Sequence, residues 1–469
     1  MNDLRKVVHG IPWMVAACLY GLPLAAQQDS GEKPKPAAHQ YSLLLETADN
    51  QQDTDQLTQS VQPDNRPLSG VQNPSLGTPE TRHSYWVPGI QYSNAARSNS
   101  LNSTVNSGWN STSFISGDVS LLDAWNHSML SANFSSGGYV STDNVQGNGQ
   151  YQQLAIAYEI DGRRWQVLLI DEFSHLPESS FGFGGPSGLS APGVSGALAV
   201  PSLGLQNTYL PNQTVLTAIG PRYSNSSIVQ LTYKLSPRGS ITLGGIHGML
   251  RFVNSGNVNS DSEMFNVGYN YMASRKDTIG LTYRFGAYHY PGTPQALGDH
   301  VAQLAYGRKI TGKLALALAG GPEITTLRVP IGRWRQTISG SGSASLNYAF
   351  SRSSMALSYT HGVSGGSGVL SGANTDQVGT TWSTQLTRVW AGSLNFGYAK
   401  NRQVVAVSGS PTFDTWLAGA GLGRQLGRTA HFALGYQVQI QGAAVGGTNY
   451  TSHQLFLSFQ WHARPFVLR

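Results

Sequence analysis

Charge is what this chain has least of. Only 12% of its 469 residues are Asp, Glu, Lys or Arg, against about 25% in ordinary soluble domains. A surface built to face bulk water over this length would carry more. Yet the chain is not very apolar either, with a mean hydropathy of −0.22. After residue 26 no stretch supplies the roughly 18 consecutive apolar residues that a membrane helix needs. Cysteine is nearly absent: Cys18 is the only one, which excludes a disulfide framework and a thiolate metal cluster. No phosphate loop, HExxH or calcium-loop motif occurs, so no cofactor or metal is expected. Basic residues gather at short turns such as Arg163–Arg164, Arg275–Lys276 and Arg308–Lys309. They are not interleaved with stacking aromatics, and nucleic acid is not an expected partner.

Residues 1–26 read as an export signal. Arg5 and Lys6 open it, an apolar run follows from Val7 to Leu24, and Ala25 and Ala26 precede Gln27. Removal would take Cys18 with it. The net charge of +6 would lose Arg5, Lys6 and Asp3, leaving +5. Val15 to Cys18 also fit a lipoprotein cleavage site, which would attach lipid to Cys18; the apolar run continuing past the cysteine favours ordinary cleavage. Residues 27–82, rich in Gln, Asp, Pro, Ser and Asn, read as a flexible periplasmic leader.

From residue 83 onward the pattern has period two, the signature of strands with one apolar face. Phe265, Val267, Tyr269 and Tyr271 alternate with Asn266, Gly268 and Asn270. Phe432, Leu434, Tyr436, Val438 and Ile440 alternate with Gln437, Gln439 and Gln441. In the last strand, Leu455, Leu457, Phe459 and Trp461 alternate with Phe456, Ser458, Gln460 and His462. Eighteen such segments are counted between 84–93 and 451–461, or 16 if the first pair is dropped because of Pro88. Short connections such as 126–128, 162–164, 274–277 and 427–428 alternate with longer ones rich in Gly, Ser and Asn. This asymmetry characterises transmembrane barrels, in which short turns lie on the periplasmic side. The expected fold is therefore all-β: a single antiparallel up-and-down barrel over 83–469. Trp86, Trp125, Trp165, Trp390, Trp416 and Trp461 are expected in interfacial girdles, and Gly244–Gly245 is expected to form a β-bulge that turns Arg251 inward.

The longest connection, 177–225, carries few charges for its length and is expected to fold into the barrel rather than stand in water. Six ionisable residues are candidates for the pore lining: Glu172, Arg251, Arg284 and Glu323 on inward positions, with Asp171 and His175 near the mouth. Both signs occur, so discrimination by charge should be weak. Asp171, Glu172 and His175 also lie close enough in sequence to suggest the acid and base pair of a surface hydrolase.

By this plan the chain resembles bacterial outer-membrane porin-like β-barrels, among them barrels of unassigned function that some soil bacteria encode in many copies. Its last strand resembles the closing strand that the barrel assembly machinery recognises, although His462 to Arg469 continue past Trp461. The resemblance implies integral placement in the outer membrane, contact with membrane lipid and a possible homo-oligomer. The expected function is passive diffusion of small hydrophilic solutes. A non-conducting structural or adhesion barrel, whose loops bind an external partner, is the alternative, and an outer-membrane hydrolase a second one.

Overall fold

A computed structural model describes residues 67–71, 84–98, 108–142, 147–177, 221–253, 256–328, 334–365, 368–404, 412–443 and 449–468, with the short pieces 62–63, 76–77, 182–183, 189–190 and 214–215. Eighteen long strands form one closed antiparallel barrel. They are β1 (Tyr85–Ser98), β2 (Trp109–Ala124), β3 (Ser128–Ser141), β4 (Gly149–Asp161), β5 (Trp165–Leu176), β6 (Arg222–Lys234), β7 (Gly239–Phe252), β8 (Ser260–Met272), β9 (Asp277–His289), β10 (Ala296–Thr311), β11 (Leu314–Arg328), β12 (Trp334–Ala349), β13 (Ser353–Ser364), β14 (Ala373–Gln385), β15 (Trp390–Gln403), β16 (Thr412–Leu426), β17 (Ala430–Ala443) and β18 (Tyr450–His462). Each pairs with its neighbours in sequence, and β18 closes on β1 from Gln454 opposite Arg97 to His462 opposite Gly89. The first strand is genuine despite Pro88, so the count is 18 and not 16. Closure removes every sheet edge, which a membrane would otherwise leave unpaired.

The connections alternate strictly. Those at one end are short, from 312–313 to 235–238; those at the other are longer, from 329–333 to 177–221. We refer to these as the turn end and the loop end. Both termini of the barrel chain lie at the turn end, as an even strand number requires.

Outward positions form an apolar band that begins at the turn end. Leu231 and Leu243 belong to it, as do Val267, Leu281, Leu304, Leu394, Leu434, Leu457 and Phe459, which stand exposed or half-exposed on the outer face. Trp165, Trp390 and Trp461 sit at its lower edge, where the Arg424 guanidinium lies 5.3 Å over the Trp390 ring. Above the band, nearer the loop end, the same outward rows turn polar and their side chains pair with one another. Tyr283 and His300 meet at 2.8 Å, His361 and Asp376 at 2.6 Å, and Tyr398 donates to Asp414 at 2.9 Å. The strands run from 12 to 16 residues, whereas about 9–11 tilted residues suffice to cross a bilayer. The apolar band takes up the turn-end part of that length, and the outward polar pairs take up the loop-end part.

The chain beyond Trp461 is accommodated rather than discarded. After His462 the ladder is interrupted opposite Pro88, which has no N–H to donate, and Ala463 N–H donates to the Pro88 carbonyl. Pairing resumes with Phe466 opposite Trp86, the two rings stacked at 4.8 Å.

Candidate functional site in the barrel lumen

The inward residues define the site. On β17, β18 and β1 to β3 the mid-strand inward positions are polar: Gln437, Gln454, Gln91, Ser93, Asn133 and Ser131. Gln91 Nε2, Ser93 Oγ, Ser131 Oγ, Asn133 Nδ2 and both amide atoms of Gln437 have no hydrogen-bond partner among the described residues. Above them, Phe114, Tyr139 and Tyr151 form an inward aromatic cluster. On β5 to β8 the inward rows are apolar at Leu168, Ile170, Ile228, Ile246 and Met264 and polar at Gln230, Thr242, Asn266 and Asn270, all of them buried.

Two chain segments from outside the wall reach these surfaces. Thr214 and Val215, from the connection between β5 and β6, are buried, and the Thr214 hydroxyl is hydrogen-bonded to the inward Asn401 amide on β15 at 3.0 Å. At this point the long loop does fold onto the inner wall. Residues Pro67–Val71, which the sequence places within the leader, also lie against the inner wall. Ser69 and Val71 are buried there, and the Val71 N–H donates to Gln230 Oε1 at 2.7 Å. Further back along the leader, Gln62–Pro63 pairs antiparallel with Leu76–Gly77.

The six ionisable candidates divide. Glu172, Arg284 and Glu323 occupy inward rows. Arg284 Nη2 donates to Asp299 Oδ2 at 3.1 Å, and Asp299 and Glu323 are fully buried. The Glu323 carboxylate accepts from the Ser339 hydroxyl at 3.2 Å and from the Val363 N–H at 3.0 Å. That second bond has a structural reason. The ladder between β12 and β13 stops at Gly342 opposite His361 while both strands continue, so Glu323 takes the place of the missing strand partner.

Arg251 is not inward. The register of β6 with β7 is unbroken across Gly244 and Gly245, so the expected bulge does not form and Arg251 falls on the outward row. It grips Asp261 through two contacts of 2.6 and 2.7 Å. The inward reading assumed that every outward position meets lipid, whereas Arg251 lies above the apolar band. Asp171 and His175 are outward as well. Asp171 accepts hydrogen bonds from Ser227 and Asn225, and His175 stacks on Tyr223 at 4.3 Å. Glu172 therefore lies across the sheet from His175, and the three residues do not assemble as an acid and base pair. Sequence reasoning missed Asp299, although it sits on the same alternating row as Leu297 and Val301. Among the described residues, no group of His, Cys, Asp and Glu is arranged to hold a metal.

No protein-family model matches the chain, and no curated protein matches it. Among solved structures it is similar to Pseudomonas aeruginosa OccK2 (OpdF), with a TM-score of 0.44 at 10% identity, covering 81% of this chain and 98% of that one. The outer membrane protein OpdK of the same organism gives 0.42 at 10%, covering 81% and 99%. Acinetobacter baumannii OccAB3 gives 0.42 at 7%, again covering 81% and 99%.

Proposed function

We propose that this protein is an integral outer-membrane channel through which small hydrophilic solutes diffuse passively. One observation carries the reading: a closed wall of 18 strands whose outer band is apolar while one sector of its inner face is lined by the polar side chains of Gln91, Ser93, Ser131, Asn133, Gln437 and Gln454. Such side chains are costly against an apolar interior, and a barrel of 16–18 strands is wide enough to enclose an aqueous channel. Lumen selectivity then rests on Glu172, Arg284, Asp299 and Glu323, which carry both signs. Arg251, Asp171 and His175 act on the outer surface instead. The strand Tyr450–His462, which closes the barrel, is the segment offered to the assembly machinery.

Purified protein in planar lipid bilayers tests this. The expected result is a discrete, ohmic single-channel step. Silence from protein that is folded by heat-modifiable gel mobility would leave a non-conducting barrel that works through its loops. The lumen contacts of Ser69 and Thr214 are what favour that second reading.

A further inference from the structure

We propose that the inner wall of β6 to β10 is a binding site for the chain's own turn Pro67–Val71, which narrows the lumen at the turn end. Ser69 uses every polar group it has. Its N–H donates to Asn270 Oδ1 at 3.1 Å, and its carbonyl accepts from Asn266 Nδ2 at 2.7 Å. Its hydroxyl donates to Thr242 Oγ1 at 3.0 Å and accepts from Asn270 Nδ2 at 2.6 Å. Gln230 takes the Val71 N–H, and the Gly70 N–H closes the turn on the Pro67 carbonyl at 2.9 Å. Asparagine and glutamine amides thus hold the backbone of this turn as a neighbouring strand would hold it.

The wall is also shaped for it. A Cβ on Gly268 would stand 2.2 Å from the Ser69 Cβ, and one on Gly307 would stand 2.9 Å from Leu68 Cδ2. Neither glycine has positive φ, so what these positions require is space. Apolar inward residues form the adjoining surface, since Val71 packs in one cluster with Ile228, Ile246 and Met264. Leu168, Ile170, Ile228 and Ile246 would be out of place lining water, and a chain segment lying over them removes that cost. Asn266 lies at the midpoint of its strand and the other anchoring residues lie in the half next to the turns 235–238, 273–276 and 312–313, which fixes the height of the constriction. The contacts stand on their own geometry; the narrowing rests on the channel reading above.

A disulfide tests both parts. Ser69→Cys with Thr242→Cys places two thiols where hydroxyls now meet at 3.0 Å. After mild oxidation of the folded barrel this pair should lose reactivity to a thiol-labelling reagent added in denaturant, whereas the Thr242→Cys single variant, labelled in the same way, keeps it. Adding Gly268→Leu, which fills the trough, should restore labelling of the pair. In planar bilayers the oxidised pair should give a smaller single-channel step than a chain lacking residues 62–77. Thiols that stay reactive in the folded double variant would overturn the binding site. A bridge that forms while the deletion leaves the step unchanged would overturn the narrowing. If neither chain conducts and the bridge still forms, the channel reading fails and the binding site stands.

Discussion

On β17, β18 and β1 to β3 the inward mid-strand residues include Gln437, Gln454, Gln91, Ser93, Asn133 and Ser131; on β5 to β8 they include the apolar Leu168, Ile170, Ile228, Ile246 and Met264 beside the polar Gln230, Thr242, Asn266 and Asn270. Both sectors come from strands of 12 to 16 residues with the same alternation, and both carry an apolar outer row. They differ in what faces them. The first presents amides and hydroxyls that lack hydrogen-bond partners among the described residues; the second packs in one cluster with Val71 of the leader. One wall of the barrel is thus polar on its inner side and the other behaves as the core of a small soluble domain, with tolerance to substitution to match.

The largest effect is expected at the buried ion pair on the packed side. Arg284→Ala leaves the buried Asp299 carboxyl without its 3.1 Å partner, and breaking such a pair costs about 3–5 kcal/mol. Urea unfolding in lipid vesicles should show this loss, and Arg284→Ala with Asp299→Asn should recover much of it. Next comes the apolar sector itself. Ile228→Ala opens a cavity beneath the leader and should cost about 2–5 kcal/mol, while Gln437→Ala, which removes a buried amide without a hydrogen-bond partner among the described residues, should cost less. Equal costs for those two would erase the distinction between the walls.

Smaller effects sharpen it. Phe466→Ala removes the ring stacked on Trp86 and should cost about 0.5–1.5 kcal/mol beyond lost area, read as a lower unfolding midpoint with the conductance step unchanged. Gln437→Glu should shift the reversal potential in a salt gradient toward cation preference. Arg251→Ala should cost at most about 1 kcal/mol, since its pair with Asp261 is partly exposed, and should leave selectivity untouched. A selectivity change there would place Arg251 in the lumen after all.

Much of the barrel was legible because its code is local. Alternation such as Phe265, Val267, Tyr269 and Tyr271 against Asn266, Gly268 and Asn270 assigns faces without knowledge of any partner. The contrast between turn 274–277 and connection 177–225 orders the two ends in the same way. The site was less legible. Glu172, Arg284 and Glu323 fall on inward rows as the alternation implies, but Arg251 was misread because strand period reports a face and carries no information about height relative to the bilayer. Asn266, Asn270 and Gln230 read as pore lining, and nothing in their own strands marks them as ligands for a backbone.

From its residue order alone this chain determined that it would form long two-faced strands, an even number of them, with short turns at one end. Those properties depend on neighbours two to four residues apart. What only the tertiary structure decided is which inward residues meet the chain's own leader and long loop. Ser69 and Asn270 are 201 positions apart, and only closure of the barrel brings such distant residues within hydrogen-bonding reach.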